Sequence, residues 1–198
     1  MYAYCVNNPV MYSDITGYAP EWLRSAGKNV TGIIAVVVAV TVLTSGVALA
    51  PMLIVAGLTL AAGSLTIANG IGDIQQSING NNYIRDSVFN GNQSGYNLYA
   101  GITEAVAIVG SIICGGWLKY NQPRIQAYKN VGGYKFSGSL SKPDHMLRPW
   151  QTSTWGQRQV IKYGSMLNEK GSIYRYSYEG WKLVVDIAKE TIYHFGPF

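Results

Sequence analysis

The chain holds two histidines, His145 and His194, and both fall in its last third. His145 stands three residues before Arg148 in the stretch HMLRPW, between Pro143 and Pro149; Arg175 and Lys182 lie further on, and Lys162 between. An imidazole titrates near neutrality and serves as either base or acid. A guanidinium grips phosphate through two parallel hydrogen bonds. Trp150, Tyr174 and Tyr176 are rings on which unpaired bases can stack. Together these types suit RNA cleavage without metal, which needs a base for the 2′-hydroxyl, an acid for the leaving oxygen and cations for the phosphate. His145, Arg148, His194 and Arg175 are therefore the candidate catalytic residues. Trp150, Tyr174, Tyr176, Lys162 and Lys182 are the candidate RNA-binding ones. Each has a structural alternative. His194 also fits the edge of a core, Arg148 a pair with Asp144, Arg175 a solvated strand position, and the tyrosines sheet packing. Other chemistries find less to work with. There is no HExxH or HxxxH pattern, no Walker A loop and no GxSxG. Cys5 and Cys114 fit no metal or redox spacing and are expected as free thiols, so no metal or cofactor is expected.

The elements that must hold these side chains form a small α+β domain over about residues 130–198. Gly132-Gly133 marks its start, and Tyr134 to Leu140 has the composition of a short strand. Thr152 or Ser153 can cap a helix running to about Ser165, with Gln157 near the third helical position. Ser172 to Tyr178 alternates, with the tyrosines on one face and Ile173, Arg175 and Ser177 on the other. Glu179-Gly180 turns the chain into a strand from Trp181 to Asp186. A four-residue loop then leads to a closing strand at Thr191 to Phe195. That loop pairs Asp186 with Thr191 and sets His194 opposite Leu183. The expected result is a helix followed by a three- to four-stranded antiparallel sheet, with Trp181, Leu183, Val185 and Ile192 in its core.

Ahead of this domain the chain is of another kind. From Asn29 to Gly72 there are 44 residues without Asp, Glu, Lys or Arg. Each half, at about 1.5 Å per residue, matches a hydrocarbon core of roughly 30 Å. Pro51 stands where a turn between two spans is expected, and Gly46/Ala50 and Gly57/Ala61 are small pairs at helix-packing spacing. The reading is a membrane-competent helical hairpin, with a buried hairpin of a soluble protein or Val-rich strands around Ile33 to Val42 as alternatives. Leu98 to Leu118 is a third apolar segment carrying only Glu104, and it suits either a span or a core helix. Lys119 to Val131 is a basic connector containing Pro123. Asp73 to Ile78 continues a helix, Arg85 to Phe89 adds a helical turn, and the Asn/Gly-rich residues between and after them are loop. The net charge of +5 is divided: three Lys/Arg against five Asp/Glu before Lys119, twelve against five from Lys119 onward. An apolar front and a basic back point to two tasks, the second directed at phosphates.

The first 20 residues, MYAYCVNNPVMYSDITGYAP, contain turn signals between aromatics and no signal-peptide pattern. Tyr2, Tyr4, Asn7, Asn8, Pro9, Asp14 and Gly17 resemble the end of the RHS/YD-repeat core, with Ile15 where that family usually has Pro. The resemblance implies an order of parts: 1–20 as the end of the repeat core, 21–118 as an apolar pre-toxin region, and 130–198 as the variable C-terminal domain of a polymorphic toxin. It implies export by a dedicated system for interbacterial competition, an upstream repeat cage and a cognate immunity protein. The helix-then-sheet order of the last domain resembles the barnase/EndoU/colicin/RelE-like ribonuclease fold. The expected function is thus a toxin that meets a membrane through 29–72, and through 98–118 if that segment spans, and cleaves RNA, tRNA foremost, in the target-cell cytoplasm. The alternative is a pore-forming toxin in which the hairpin acts on the bilayer and the basic tail binds anionic lipid.

Overall fold

The charge-free run forms two helices, α1 at Glu21–Leu43 and α2 at Ala50–Asn79. The computed structural model describes residues 21–137 and 153–197. The RHS-like segment, Cys5, and the loop holding His145, Arg148 and Trp150 lie outside those residues. After α2 come a short α3, Tyr83–Val88, and a long α4, Gln93–Asn130. Among the described residues three helices are long and apolar enough to cross a membrane: Trp22–Leu43, Ala50–Asn79 and Gln93–Gly133 contain 18-residue windows with mean hydropathies of 1.9, 1.8 and 1.7.

The turn between α1 and α2 is not made by Pro51. It is made by residues 44–49, where Gly46 has φ +79. Pro51 instead lies in the first turn of α2, where its missing N–H leaves nothing unsatisfied. Nor is Lys119 to Val131 a connector. It continues α4 through Pro123 to Asn130 and ends in a short 3-10 turn, Val131–Gly133.

The chain divides into two units: Met1–Leu43 with Pro51–Gly115, and Thr44–Ala50 with Gly116–Phe198. In the first, the interior is built of small and polar side chains. Ala35, Ala62 and Ala107 meet at its centre, one from each long helix. The buried stripe of α2 reads Ala56, Thr59, Ala62, Gly63, Thr66, Asn69, Gly70 and Gly72, while Ile54, Leu58, Leu65 and Ile71 are exposed. The close approach of α1 and α2 centres on Gly32 and Gly63. A Cβ on Gly32 would come within 2.7 Å of the Gly63 carbonyl oxygen, and one on Gly63 within 3.0 Å of the Ala35 methyl. Gly110 of α4 sits likewise against Thr59. The pairs expected from spacing do not serve this purpose, because Gly57 and Ala61 face outward and Gly46 is in the turn.

Several hydroxyls of these helices are satisfied by their own backbone. Thr41, Thr59, Ser64, Thr66 and Ser111 each donate to a carbonyl three or four residues back. At the end of the unit that holds the start of α1, Lys28 pairs with Asp73 at 2.7 Å, and Asp73 also accepts from Tyr96 Oη at 2.6 Å and Asn82 Nδ2 at 3.2 Å. Asn82 in turn caps α3, accepting from the Ile84 and Arg85 N–H groups.

The second unit contains the sheet: β1 Lys135–Phe136, then α5 Thr154–Tyr163, β2 Ser165–Lys170, β3 Ile173–Tyr178, β4 Trp181–Asp186 and β5 Thr191–Pro197. The strand order is β1-β5-β4-β3-β2. The four strands after α5 form an antiparallel meander, and β1 adds to β5 in parallel. The expected helix-then-sheet order holds with one strand more in the meander. β2 occupies a stretch read as helix end and turn, since α5 stops at Tyr163. Ser153 caps α5 by accepting from the Gly156 N–H at 3.3 Å, so Gly156 rather than Gln157 takes the third position.

Leu183, Val185 and Ile192 are buried as expected, with Tyr176, Ile161, Phe195, Ala127 and Val131, and Trp181 packs at the margin. The core therefore begins before residue 130, in the last turns of α4. Arg124 of α4 donates to the carbonyls of Lys162 and Gly164, meeting the exposed C-terminal end of α5. Gly46 lies so close to the Tyr128 ring that a Cβ would approach it to 2.7 Å, which fixes the α1–α2 turn beside the end of α4.

Gly63→Leu should destabilise the helical unit by about 1 to 3 kcal/mol, the usual range for overpacking, while Gly57→Leu should be neutral. Chemical unfolding of the full chain in detergent, followed by circular dichroism, checks both. Equal effects would contradict the Gly32–Gly63 contact.

Candidate functional site

The face of the sheet turned away from α5 gathers three of the candidate residues. Arg175 pairs with Val184, and Val184 pairs with His194. Lys182, two residues before Val184, points to the same side. Arg175 and His194 are separated by one strand, about 10 Å between backbones at ordinary strand spacing.

His194 reaches this face through a β-bulge. The four-residue loop does pair Asp186 with Thr191, and Val185 pairs with Ile192 as that register requires. Between Val184 and Val185 the register then shifts, leaving Tyr193 as the extra residue, so that His194 falls opposite Val184 and Phe195 opposite Leu183. The expected pairing of His194 with Leu183 is thus displaced by one position, and a one-residue shift exchanges the two faces. His194 leaves the core side and Phe195 takes its place. Nothing in the alternation of TIYHF signals this; the only trace is that Phe195 is the better core residue.

Asp186 holds the loop that sets this register. Its carboxylate accepts from Ser172 Oγ at 2.7 Å and from the Ala188 and Lys189 N–H groups at 3.1 Å each. The Ser172 hydroxyl, then the two amides, hold this carboxyl below the usual range. It is buried, satisfied and structural.

His194 Nε2 is buried and without a hydrogen-bond partner. Burial, and then the nearby Lys182 ammonium, push the imidazole below its ordinary range. At neutral pH the ring is therefore uncharged, the state of a proton acceptor. Arg175 is half exposed and pairs with Glu169 at 3.3 Å, an exchangeable surface pair that a phosphate can replace.

The other candidates stand elsewhere. Tyr176 is fully buried in the core and cannot serve as a stacking platform. Tyr174 shares its face and packs against the same core. Lys162 lies on α5, its ammonium 5.3 Å from the centre of its neighbour Tyr163. Among the described residues no group of three or more His, Cys, Asp or Glu is placed to hold a metal ion. Cys114 is buried within 3.9 Å of Thr59 Oγ1.

A second feature was not legible from spacing. On the α5 side of the sheet, Trp155, Tyr178, Trp181 and Phe195 surround a cavity of about 460 Å³ at the β3–β4 turn. Its signal is diffuse, four rings scattered over 41 positions of the sequence.

Compared with models of known protein families, with curated proteins and with solved structures, the chain matches none.

The low affinity of His194 for protons carries a pH dependence. Its folded-state value lies below that of the unfolded chain, so the unfolded state binds the proton more readily. Stability is full above about pH 6.5 and is lost as pH falls below it, through the folded-state value. The C-terminal unit should melt lower at pH 5 than at pH 7, and His194→Gln should remove most of that difference. Scanning fluorimetry of both proteins across that range checks it. An identical pH slope in the variant would contradict the burial of this ring.

Proposed function

We propose that this chain is a membrane-inserting toxin whose C-terminal domain cleaves RNA, acting in competition between bacteria. The observation that carries the reading is the opposite sorting of side chains in the two units. The helical unit turns Ile33, Ile34, Val37, Ile54, Leu58 and Ile112 outward and keeps Ala, Gly, Thr and Asn inside. In water that arrangement wastes the hydrophobic effect; in lipid, where apolar side chains gain nothing by meeting one another, it is the ordinary one. The C-terminal unit sorts the other way, with an apolar core and Arg175, Lys182 and His194 on a face away from it.

The resemblance of the first 20 residues to the end of an RHS core supports the toxin part. A delivered toxin needs a way across a bilayer, and three apolar helices supply one. Two crossings would return the chain to its starting side and three do not. The contact of Gly46 with Tyr128 favours three, because it brings the end of α4 to the turn that lies between the first two crossings. In such a system a cognate immunity protein and an upstream repeat cage are the expected partners, and the target-cell cytoplasm, where tRNA is plentiful, the site of action.

In the catalytic reading neutral His194 takes a proton from the 2′-hydroxyl, while Arg175 and Lys182 offset phosphate charge. His145 and Arg148 stay candidates for the opposing acid and a further cation. The pore reading needs a polar path between helices, and the close contact of α1 and α2 at Gly32 and Gly63 does not favour one there.

Two measurements test the proposal separately. The full chain should float with anionic liposomes and resist extraction at high pH; if it stays in the aqueous fraction, the membrane part is wrong. It should degrade total bacterial RNA in the presence of EDTA. His145→Ala or His194→Ala should lower the rate about 10² to 10⁴-fold if each is a proton-transfer group, with Arg148→Ala and Arg175→Ala costing a comparable amount. Intact RNA with wild-type protein, or full activity in all four folded variants, would overturn the ribonuclease.

A further inference from the structure

The cavity beside α5 is independent of the cationic face. Trp181 and Tyr178 form the last cross-strand pair of β3 and β4, on the side opposite Arg175, Lys182 and His194. Trp181 rests on Phe195, with ring centres 5.5 Å apart, and the two make a floor. Trp155, in the first turn of α5, is 73% exposed although it lines the same cavity. A tryptophan left uncovered at the mouth of an aromatic-lined cavity has large ring area with little of it used by the fold. The polar groups among the lining residues are few: Glu179, Gln159 and the Ser153 cap.

Glu179 is in an unusual position for its type. It is the first residue of the two-residue β3–β4 turn, with φ +45, and Gly180 follows with φ +77. Both angles fit a type I′ turn, whose first place favours Asn, Asp or Gly. A glutamate there strains the backbone, and strain of this kind points to a use for the side chain. Glu190 has a similar angle, φ +51, but its carbonyl accepts from the Lys135 N–H and so joins β1 to the sheet. No comparable backbone task falls to Glu179. Glu179 lines the cavity beside Tyr178, and its carboxylate raises that phenol above its ordinary range.

We propose that this cavity binds a nucleobase bearing an exocyclic amine, stacked against Trp155 over the Trp181–Phe195 floor and donating hydrogen bonds to the Glu179 carboxylate. The volume of about 460 Å³ falls in the range of small-ligand sites and accommodates a nucleoside. Stacking on an aromatic ring is tolerant of base identity. A carboxylate is acceptor-only, so it selects bases that present N–H groups and disfavours uracil, whose N–H lies between two carbonyls. The site does not depend on the ribonuclease reading. It would serve a free nucleotide or a strand passing the α5 side of the sheet.

The experiment uses the full chain in detergent, titrated with adenosine, guanosine, cytidine and uridine while tryptophan fluorescence and heat are followed. The three amino-bearing nucleosides should bind saturably and uridine at least tenfold more weakly. Trp155→Ala should weaken binding tenfold or more. Glu179→Asn is the decisive variant: asparagine suits the turn better, so the protein should melt no lower, yet it should lose the preference over uridine. A single-stranded oligonucleotide binding tighter than its nucleoside would identify a strand as the source, and equal affinity a free nucleotide. Saturation by choline but by no nucleoside would show a cation cage and overturn the proposal, as would no saturation at all or unchanged affinities in both variants. RNA cleavage enters none of these readouts, so this site and the proposed activity stand or fall separately.

Discussion

The pairing of Lys28 with Asp73 governs the helical unit. These are the last charge before the apolar run and the first after it, and the hairpin brings them to 2.7 Å with both side chains largely covered. Asp73 is shared: the phenol of Tyr96 and the amide of Asn82 reach it too, so one carboxylate ties α1, α2, α4 and the cap of α3. Removing one partner leaves the other charge, largely covered by the helices, without its compensation. Beyond this knot the helices are held chiefly by close approach at small residues and by a buried hydrogen bond from Asn69 to Thr103 at 3.0 Å. Gly32 against Gly63, and Gly110 against Thr59, allow backbones to approach. Ile67 and Val36 border the approach of α1 and α2, while Ile33, Ile34, Ile54 and Leu58 point away from it.

The sheet obeys a different constraint. Its core needs Leu183, Val185, Ile192 and Phe195 on one side, yet Ile192 and Phe195 are three apart and a regular strand would place them on opposite faces. The bulge at Tyr193 resolves the conflict, and its by-product is the exposure of His194 to the other face. Packing and site are thus coupled through one irregular residue. Asp186 stabilises the arrangement from the loop side, with three hydrogen bonds that fix where β5 begins.

These two constraints give the chain two surfaces of different character. One is aliphatic and extends over three helices. The other is cationic, held on a sheet whose opposite side is closed by α5 and by the end of α4 through Arg124 and Ala127. A soluble enzyme does not need the first, and a simple bilayer spanner does not need the second. Their presence on one chain is what the reading of a delivered effector accounts for.

Much of this was legible in the amino acids. The absence of charge over 44 residues and its helical length determine that Asn29 to Gly72 is membrane-competent. Tyrosine alternation determines β3, Glu179-Gly180 its turn, and the distance from Asp186 to Thr191 the next one, because each depends on neighbours in sequence. What the tertiary structure decided involves partners far apart. Spacing nominated Gly57, but only the packed helices show that Gly32 and Gly63 meet, since small residues alone do not say which face turns inward. Pro123 reads as a break, yet α4 runs on through it to the packing of Ala127 and the hydrogen bonds of Arg124. Counting from the loop sets His194 opposite Leu183, where it fits the edge of the core as well as a site, and a bulge that alternation cannot reveal carries it to the other face. Tyr176 looked available for stacking and is buried, because which side of an alternating strand is covered depends on where α5 packs. The cavity at Trp155 required four rings from α5, β3, β4 and β5 to converge, and convergence of that kind exists only in the fold.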